Sequence, residues 1–350
     1  VTSDTLDLSR WAVVARNDTS HLGRMAEDMK ALLGVRHLVI PSDRLETRPL
    51  DGSYDTLLRS NADEAEVTSV IDGLQGMVLL GAEWNKLLLR VARRLGVRVA
   101  CVPMWDWFQG SDANWAMVDM FLCPSDFCLK VVRSYGWTNA IQLPWAVDLS
   151  RLPCRFVRGE ARVFFHNGGV MDDDDRKGTR GTICAFSKVR RRDVRLIVRL
   201  QKPAELGPLD DRVEVRIGTL DDVFDLYAEG DVAVQPSARA GVGFMVLEPV
   251  CCGLPTITTD TLPISDYVRQ PELRTKTRWF SRAAWPMRIP RLRGSYGRLP
   301  SISDVTRRIE WCAEHDLTTF SQENRMMAQR MFNPDRLRAR WTHALGGLVK

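Results

Sequence analysis

The chain has 350 residues, of which 45% are hydrophobic, 27% charged and 8% aromatic, a balance that suits two globular domains with sizeable cores. It excludes a disordered, collagenous or coiled-coil protein. The net charge of +5 hides an asymmetry: residues 1–150 carry 15 Lys and Arg against 19 Asp and Glu, and the remaining residues carry 34 against 25.

In chain order, short apolar runs predict strands at 11–15, 37–40, 76–80, 98–103, 118–122 and 140–143. Amphipathic stretches predict helices at 22–33, 84–95 and 126–135, the last two closed by Gly96 and Gly136. A linker without periodicity, containing Pro153, follows at 148–160. A second alternating series then predicts strands at 163–166, 194–200, 213–217, 232–235 and 255–258. Its helices are predicted at 178–189, 221–228, 245–252, 302–315, 321–331 and 334–348. This alternation predicts an α/β chain of two Rossmann-like, doubly wound domains, 1–150 and 151–333, facing across a cleft. The helical segment 334–350 is expected to cross back to the first domain. No apolar run nears the roughly 18 residues of a membrane span, and the first residues lack a secretory pattern. The eight cysteines form no CxxC pair and read as reduced, mostly buried thiols. A cytoplasmic protein without a transmembrane segment is therefore expected.

The most informative stretch runs from Tyr227 to Asp260. It holds Asp231, Pro236-Ser237, Gly241-Val-Gly243, Glu248 and Gly253-Leu-Pro255. Two glycines let a loop backbone approach a bound group closely, and the loop leads through Phe244, a further donor-binding candidate, into a helix N-terminus. The positive end of that helix suits a diphosphate, and Glu248, one turn inside, can bridge ribose hydroxyls. The pattern resembles the donor-site signature of family 4 glycosyltransferases of the GT-B fold. Where that signature carries the first of its paired glutamates, the residue that touches the transferred sugar, this chain has Ala240. Two further segments extend the resemblance. Val163-Phe-Phe-His-Asn-Gly-Gly-Val, followed by Arg176-Lys177-Gly178, is similar to the element that opens the nucleotide domain. The resemblance implies that Gly168, Arg176 and Lys177 serve the donor diphosphate. Asp18-Thr-Ser-His-Leu-Gly-Arg24 resembles the glycine-rich turn after the first strand, with Gly23 facing the donor phosphates. A UDP-sugar is the expected donor, with no tightly bound cofactor and no obligatory metal. The acidic run 172–175 reads as a solvated loop.

Sugar transfer needs a stabilised leaving diphosphate and a deprotonated acceptor hydroxyl. Cys101-Val-Pro-Met-Trp-Asp106-Trp-Phe places Asp106 in a strand-end loop between Trp105 and Trp107, which makes it a candidate base beside two acceptor-stacking rings. His21 is a second catalytic candidate, and His166 a further active-site candidate. An Asp106 base implies inversion, whereas the Glu248 pattern leans towards retention.

From 273 to 300 there are eight basic residues and no acidic one, interleaved with Trp279, Phe280, Trp285 and Tyr296. Arg278, Trp279 and Arg282 are the expected acceptor contacts of this loop, since arginines with aromatics suit phosphate contact and base stacking. A second basic cluster, Lys188-Val-Arg-Arg-Arg192 with Arg195 and Arg199, lies in the same domain. The layout is similar to that of bacteriophage DNA glycosyltransferases, which implies a hydroxymethylated base in DNA as the acceptor. The alternatives are a cell-surface polysaccharide or lipid-linked glycan acceptor, and an inactive GT-B module that binds nucleic acid or sugar nucleotide.

Overall fold

The computed structural model describes residues 5–41, 45–81, 85, 87–145, 147–171, 175–220, 222–278 and 299–349. The chain divides into two compact units, Val1–Val147 with Pro334–Lys350, and Asp148–Asn333.

The first unit is built on strands β1 (Trp11–Ala15), β2 (Arg36–Val39), β3 (Asp55–Leu57), β4 (Gly76–Gly81), β5 (Arg98–Pro103), β6 (Met120–Cys123) and β7 (Ala140–Gln142). They make one parallel sheet in the order β3-β2-β1-β4-β5-β6-β7. Helices α1 (His21–Leu33), α2 (Glu64–Ile71), α3 (Leu88–Leu95) and α4 (Asp126–Ser134) connect them. Every residue of β1 and β4 is buried, as in parallel strands covered on both faces. Gly76 is required by packing: a Cβ there would lie 2.5 Å from the Trp11 ring. Ser20 and Ser125 cap α1 and α4 through their side chains, and Gly34 and Gly96 end α1 and α3 in the left-handed region.

The second unit repeats the plan. Strands β8 (Val163–Gly169), β9 (Arg195–Leu200), β10 (Val213–Ile217), β11 (Val232–Gln235), β12 (Thr256–Thr259) and β13 (Arg274–Thr275) form a parallel sheet in the order β10-β9-β8-β11-β12-β13. Helices α5 (Thr179–Phe186) and α7 (Ile302–Glu314) pack together, as do α6 (Phe244–Cys252) and α8 (Thr318–Met331). A short antiparallel pair, β14 (Thr277–Arg278) and β15 (Leu299–Pro300), stands beside the sheet order. The last helix, α9 (Pro334–Gly346), belongs to the first unit, where it packs on α1. Its Trp341 is fully buried and meets Trp145 edge-on at 5.6 Å.

Both sheets are thus the doubly wound, Rossmann-like kind, and the two units have the GT-B architecture. Five of these strands and helices lie beyond the sequence pattern: β3, α2, β13, β14 and β15. Residues 221–228, expected as an α-helix, form instead the 3-10 helix Val223–Ala228. All eight cysteines are free; six are buried, and Cys154 and Cys184 are exposed. No helix among the described residues is long and apolar enough to cross a membrane.

Candidate active site

In the second unit β8 lies between β9 and β11, so the loops leaving β8 and β11 flank the point where strand order reverses. That is where doubly wound sheets hold their ligands. The two loops are locked together. The Ser237 hydroxyl is within hydrogen-bond reach of the Arg176 and Arg239 carbonyls, at 2.9 and 2.8 Å. The Ala238 amide also donates to the Arg176 carbonyl at 2.8 Å. Gly178 adopts φ +76°, and a Cβ there would sit 2.6 Å from the Pro236 carbonyl oxygen.

Two helices begin at this edge. At α5, Asp175 accepts from the Thr179 and Arg180 amides at 2.8 and 2.9 Å, one with each carboxylate oxygen. The α5 terminus is therefore already served by the chain's own carboxylate. Helix α6, like α5, starts from a left-handed glycine, here Gly243 at φ +82°. A Cβ on Gly243 would lie 2.5 Å from Ile264, so the glycine is fixed both by its conformation and by this neighbour. The positive end of α6 lies at this edge, where its dipole favours an anion. Gly241 is half-buried in the approach to it, and Ala240 and Phe244 are buried.

Lys177 is buried. Its ammonium packs against Gly169 so closely that a Cβ there would collide with it. Gly169, at φ +57°, is thus the glycine that makes room for the lysine. At Gly168, expected from sequence to serve the donor, a Cβ would meet Leu200 at 2.5 Å and the Thr179 hydroxyl at 3.0 Å. It occupies the irregular step between Asn167 and Gly169 in the β8–β9 ladder. Arg176 is half-buried, and the Arg180 guanidinium donates to the Glu205 carbonyl at 3.0 Å. Glu248 is buried one turn inside α6, where its carboxylate accepts a hydrogen bond from the Tyr227 phenol.

His166 is a structural residue. It is fully buried, with Nδ1 2.6 Å from the Val234 carbonyl and Nε2 2.9 Å from the Thr179 hydroxyl. The carbonyl only accepts, which assigns the ring proton to Nδ1 and makes Nε2 the acceptor for Thr179. Burial, opposed by the Val234 bond and aided by the Lys177 charge, pushes the imidazole pKa down to about 4. The neutral ring joins β11 to the first residue of α5.

In the first unit the strand order reverses at β1, between β2 and β4. His21, half-buried, is the first residue of α1. Gly23 is buried in the first turn, and a Cβ on it would collide with the Asp18 backbone. Gly23 therefore admits the chain's own β1–α1 loop. Asp106 follows β5 in a turn closed by the Trp107 amide donating to the Met104 carbonyl at 2.8 Å, and it is only 4% exposed. The two flanking rings separate. Trp105 is buried edge-on against Phe127 at 4.9 Å, a core position rather than the expected acceptor contact, whereas Trp107 is 57% exposed. Cys128, at the start of α4, feels the Asp106 charge; a hydrogen bond with Cys123 and burial raise its thiol well above the usual range. It stays protonated, a core thiol. Among the described residues no group of three His, Cys, Asp or Glu is arranged to hold a metal.

The second basic cluster is largely neutralised. Arg190 pairs with Glu310 at 3.1 Å, Arg191 with Asp193 at 2.6 Å and Arg192 with Asp211 at 3.6 Å. Arg199 pairs with Glu229, which also takes Arg216. Of the arginine–aromatic loop, Arg278 ends β14, while Trp279 and Arg282 lie outside the described residues, as do 172–174 of the acidic run.

The family described as glycosyl transferases group 1 matches residues 162–278, about a third of the chain, and relates its second unit to that family. No curated protein matches the sequence. Among solved structures, HepE from Anabaena in complex with UDP-glucose superposes with a TM-score of 0.70 at 11% identity, covering 97% of this chain and 99% of that one. Sucrose-phosphate synthase from Thermosynechococcus elongatus gives 0.65 at 13% identity, covering 97% and 98%. The lipopolysaccharide outer core galactosyltransferase WaaB gives 0.62 at 10% identity, covering 96% and 98%.

Proposed function

We propose that this chain is a nucleotide-sugar-dependent glycosyltransferase that takes a UDP-sugar donor at the switch point of its second unit. The observation that carries this reading is the set of groups that follow β8 and β11 of the second sheet: a glycine-opened helix, a buried lysine and a buried carboxylate. Asp175 occupies the amides of α5, α6 opens from Gly243, Lys177 is buried after β8, and Glu248 is a buried carboxylate one turn inside α6. The α6 end and the Lys177 ammonium would share the diphosphate, the first through backbone dipoles and the second as a point charge. Glu248 would take the ribose hydroxyls. Neither step calls for a metal. HepE, a structural neighbour over nearly the whole chain, is known in complex with UDP-glucose, which supports the choice of nucleotide.

For the acceptor, the reading that fits best is a hydroxyl of a glycan or glycoconjugate. WaaB is a lipopolysaccharide outer core galactosyltransferase, and the arginines at 190–192 and 199 each have a carboxylate partner. Asp106 and the exposed Trp107, at the carboxyl edge of the first sheet, are proposed as base and stacking surface for the acceptor. The test is a panel of UDP-, GDP- and ADP-sugars against oligosaccharide, lipid-linked glycan and hydroxymethylated DNA acceptors, read by mass spectrometry. UDP-dependent mass gain on a glycan is expected. Mass gain confined to DNA would overturn the acceptor assignment, and absence of donor consumption would leave a binding module.

A further inference from the structure

We infer that Tyr227 is a positioning residue for the donor: its phenol fixes the Glu248 carboxylate in the orientation that grips the nucleotide's ribose. The inference rests on the donor reading above and names a partner that it leaves unassigned. Tyr227 comes from the 3-10 helix Val223–Ala228 after β10, and Glu248 from α6 after β11, so the contact ties two separate crossover segments. The ring of Tyr227 is 1% exposed and packs against Phe165 of β8, with centroids 6.3 Å apart and planes at 66°. This packing leaves the phenol little freedom of direction, and it donates to Oε2 of Glu248, itself buried.

The chemistry of this pairing differs from that of an ion pair. A guanidinium would hold the carboxylate but also neutralise it. A phenol is a neutral donor, so it restricts the carboxylate's rotation without bringing a charge of its own. An ionised carboxylate has about four acceptor positions on its two oxygens. Tyr227 engages one of them, and vicinal hydroxyls of a sugar ring are donors that a carboxylate accepts. Fixing the acceptor before the ligand arrives removes an ordering cost from binding, the usual source of affinity gained by preorganisation.

The test uses the full chain and two probes, UDP and 2′-deoxy-UDP, with binding followed by calorimetry and donor turnover followed alongside. The wild type is expected to prefer UDP by about tenfold, the ratio that a hydrogen bond to a charged group commonly supplies. Glu248→Ala should abolish the preference. Tyr227→Phe, which removes one oxygen and keeps the ring, should shrink the preference to about twofold and raise the donor KM, with kcat changed less than threefold. Preference lost in Glu248→Ala but intact in Tyr227→Phe would overturn the positioning role and leave the donor reading standing. UDP binding unchanged by Glu248→Ala would overturn both. If Tyr227→Phe does not fold, 3,5-difluorotyrosine placed at position 227 keeps the ring and its packing while making the phenol more acidic. The preference for UDP should then fade with rising pH earlier than in the wild type. Identical pH profiles for the two proteins would overturn the inference.

Discussion

His166 makes a quantitative prediction about acid stability. Its ring is buried between Val234 and Thr179, and its pKa falls from the ordinary 6.5 to about 4. The unfolded chain therefore binds more protons than the folded one between these two values. Stability then rises with pH through the window and is lost as pH falls from about 6.5 towards 4. The full depression is worth about 3 kcal/mol, of which about 2 kcal/mol is lost on going from pH 7 to pH 5. His37 of the first unit, buried beside Asp55 and likewise pushed down to about 4 by burial, should add a loss of similar size there. The direct assay is imidazole nitrogen NMR. His166 should remain the neutral Nδ1–H tautomer down to pH 5, and urea unfolding of the second unit should weaken by about 2 kcal/mol over the same interval. His166→Gln, which keeps a donor and an acceptor without titrating, should remove most of that pH dependence. A His166 ring that titrates near 6.5, or an unchanged pH slope in His166→Gln, would refute the reasoning.

Three further outcomes follow from the same geometry. Gly178→Ala forces a side chain into a left-handed conformation against the Pro236 carbonyl and should cost about 2 kcal/mol or more, read as a lower melting temperature with weakened UDP binding. Lys177→Met should weaken UDP binding by about 10- to 100-fold and reduce its salt dependence; unchanged affinity would remove the lysine from the diphosphate site. Trp341→Ala empties a fully buried position against Trp145 and should destabilise the first unit by about 4 kcal/mol without altering UDP affinity.

The parallel strands were readable because they are short runs of Val, Leu, Ile and Phe between helices with clear end signals. Strand β1, from Trp11 to Ala15, and strand β5, from Arg98 to Pro103, have the bounds that their apolar runs imply. The missed elements lack that signal. Strand β3 is three residues at a sheet edge with none fully buried, and α2 buries only Val67 and Ile71. Strand β13 has two residues, one of them Arg274. At the site, the loop carrying Gly243 and Glu248 could be read because glycines, a helix start and a carboxylate are consecutive. The roles of Gly168 and Gly169 could not be separated by spacing, since they depend on which neighbour meets Leu200 and which meets Lys177. Nor could sequence distinguish buried Trp105 from exposed Trp107. The pairing of Arg190 with Glu310, 120 positions away, and of Arg199 with Glu229 was equally hidden. A run of arginines reads as a basic face until its distant carboxylates are placed beside it.

The central claim concerns where the nucleotide sits, and a structure of the full chain with UDP bound tests it most directly. The account predicts the diphosphate at the α6 N-terminus within reach of the Lys177 ammonium, with the ribose hydroxyls on Glu248 and the α5 amides still held by Asp175. A nucleotide whose phosphates displace Asp175 from α5, or which binds at the first sheet instead, would contradict it.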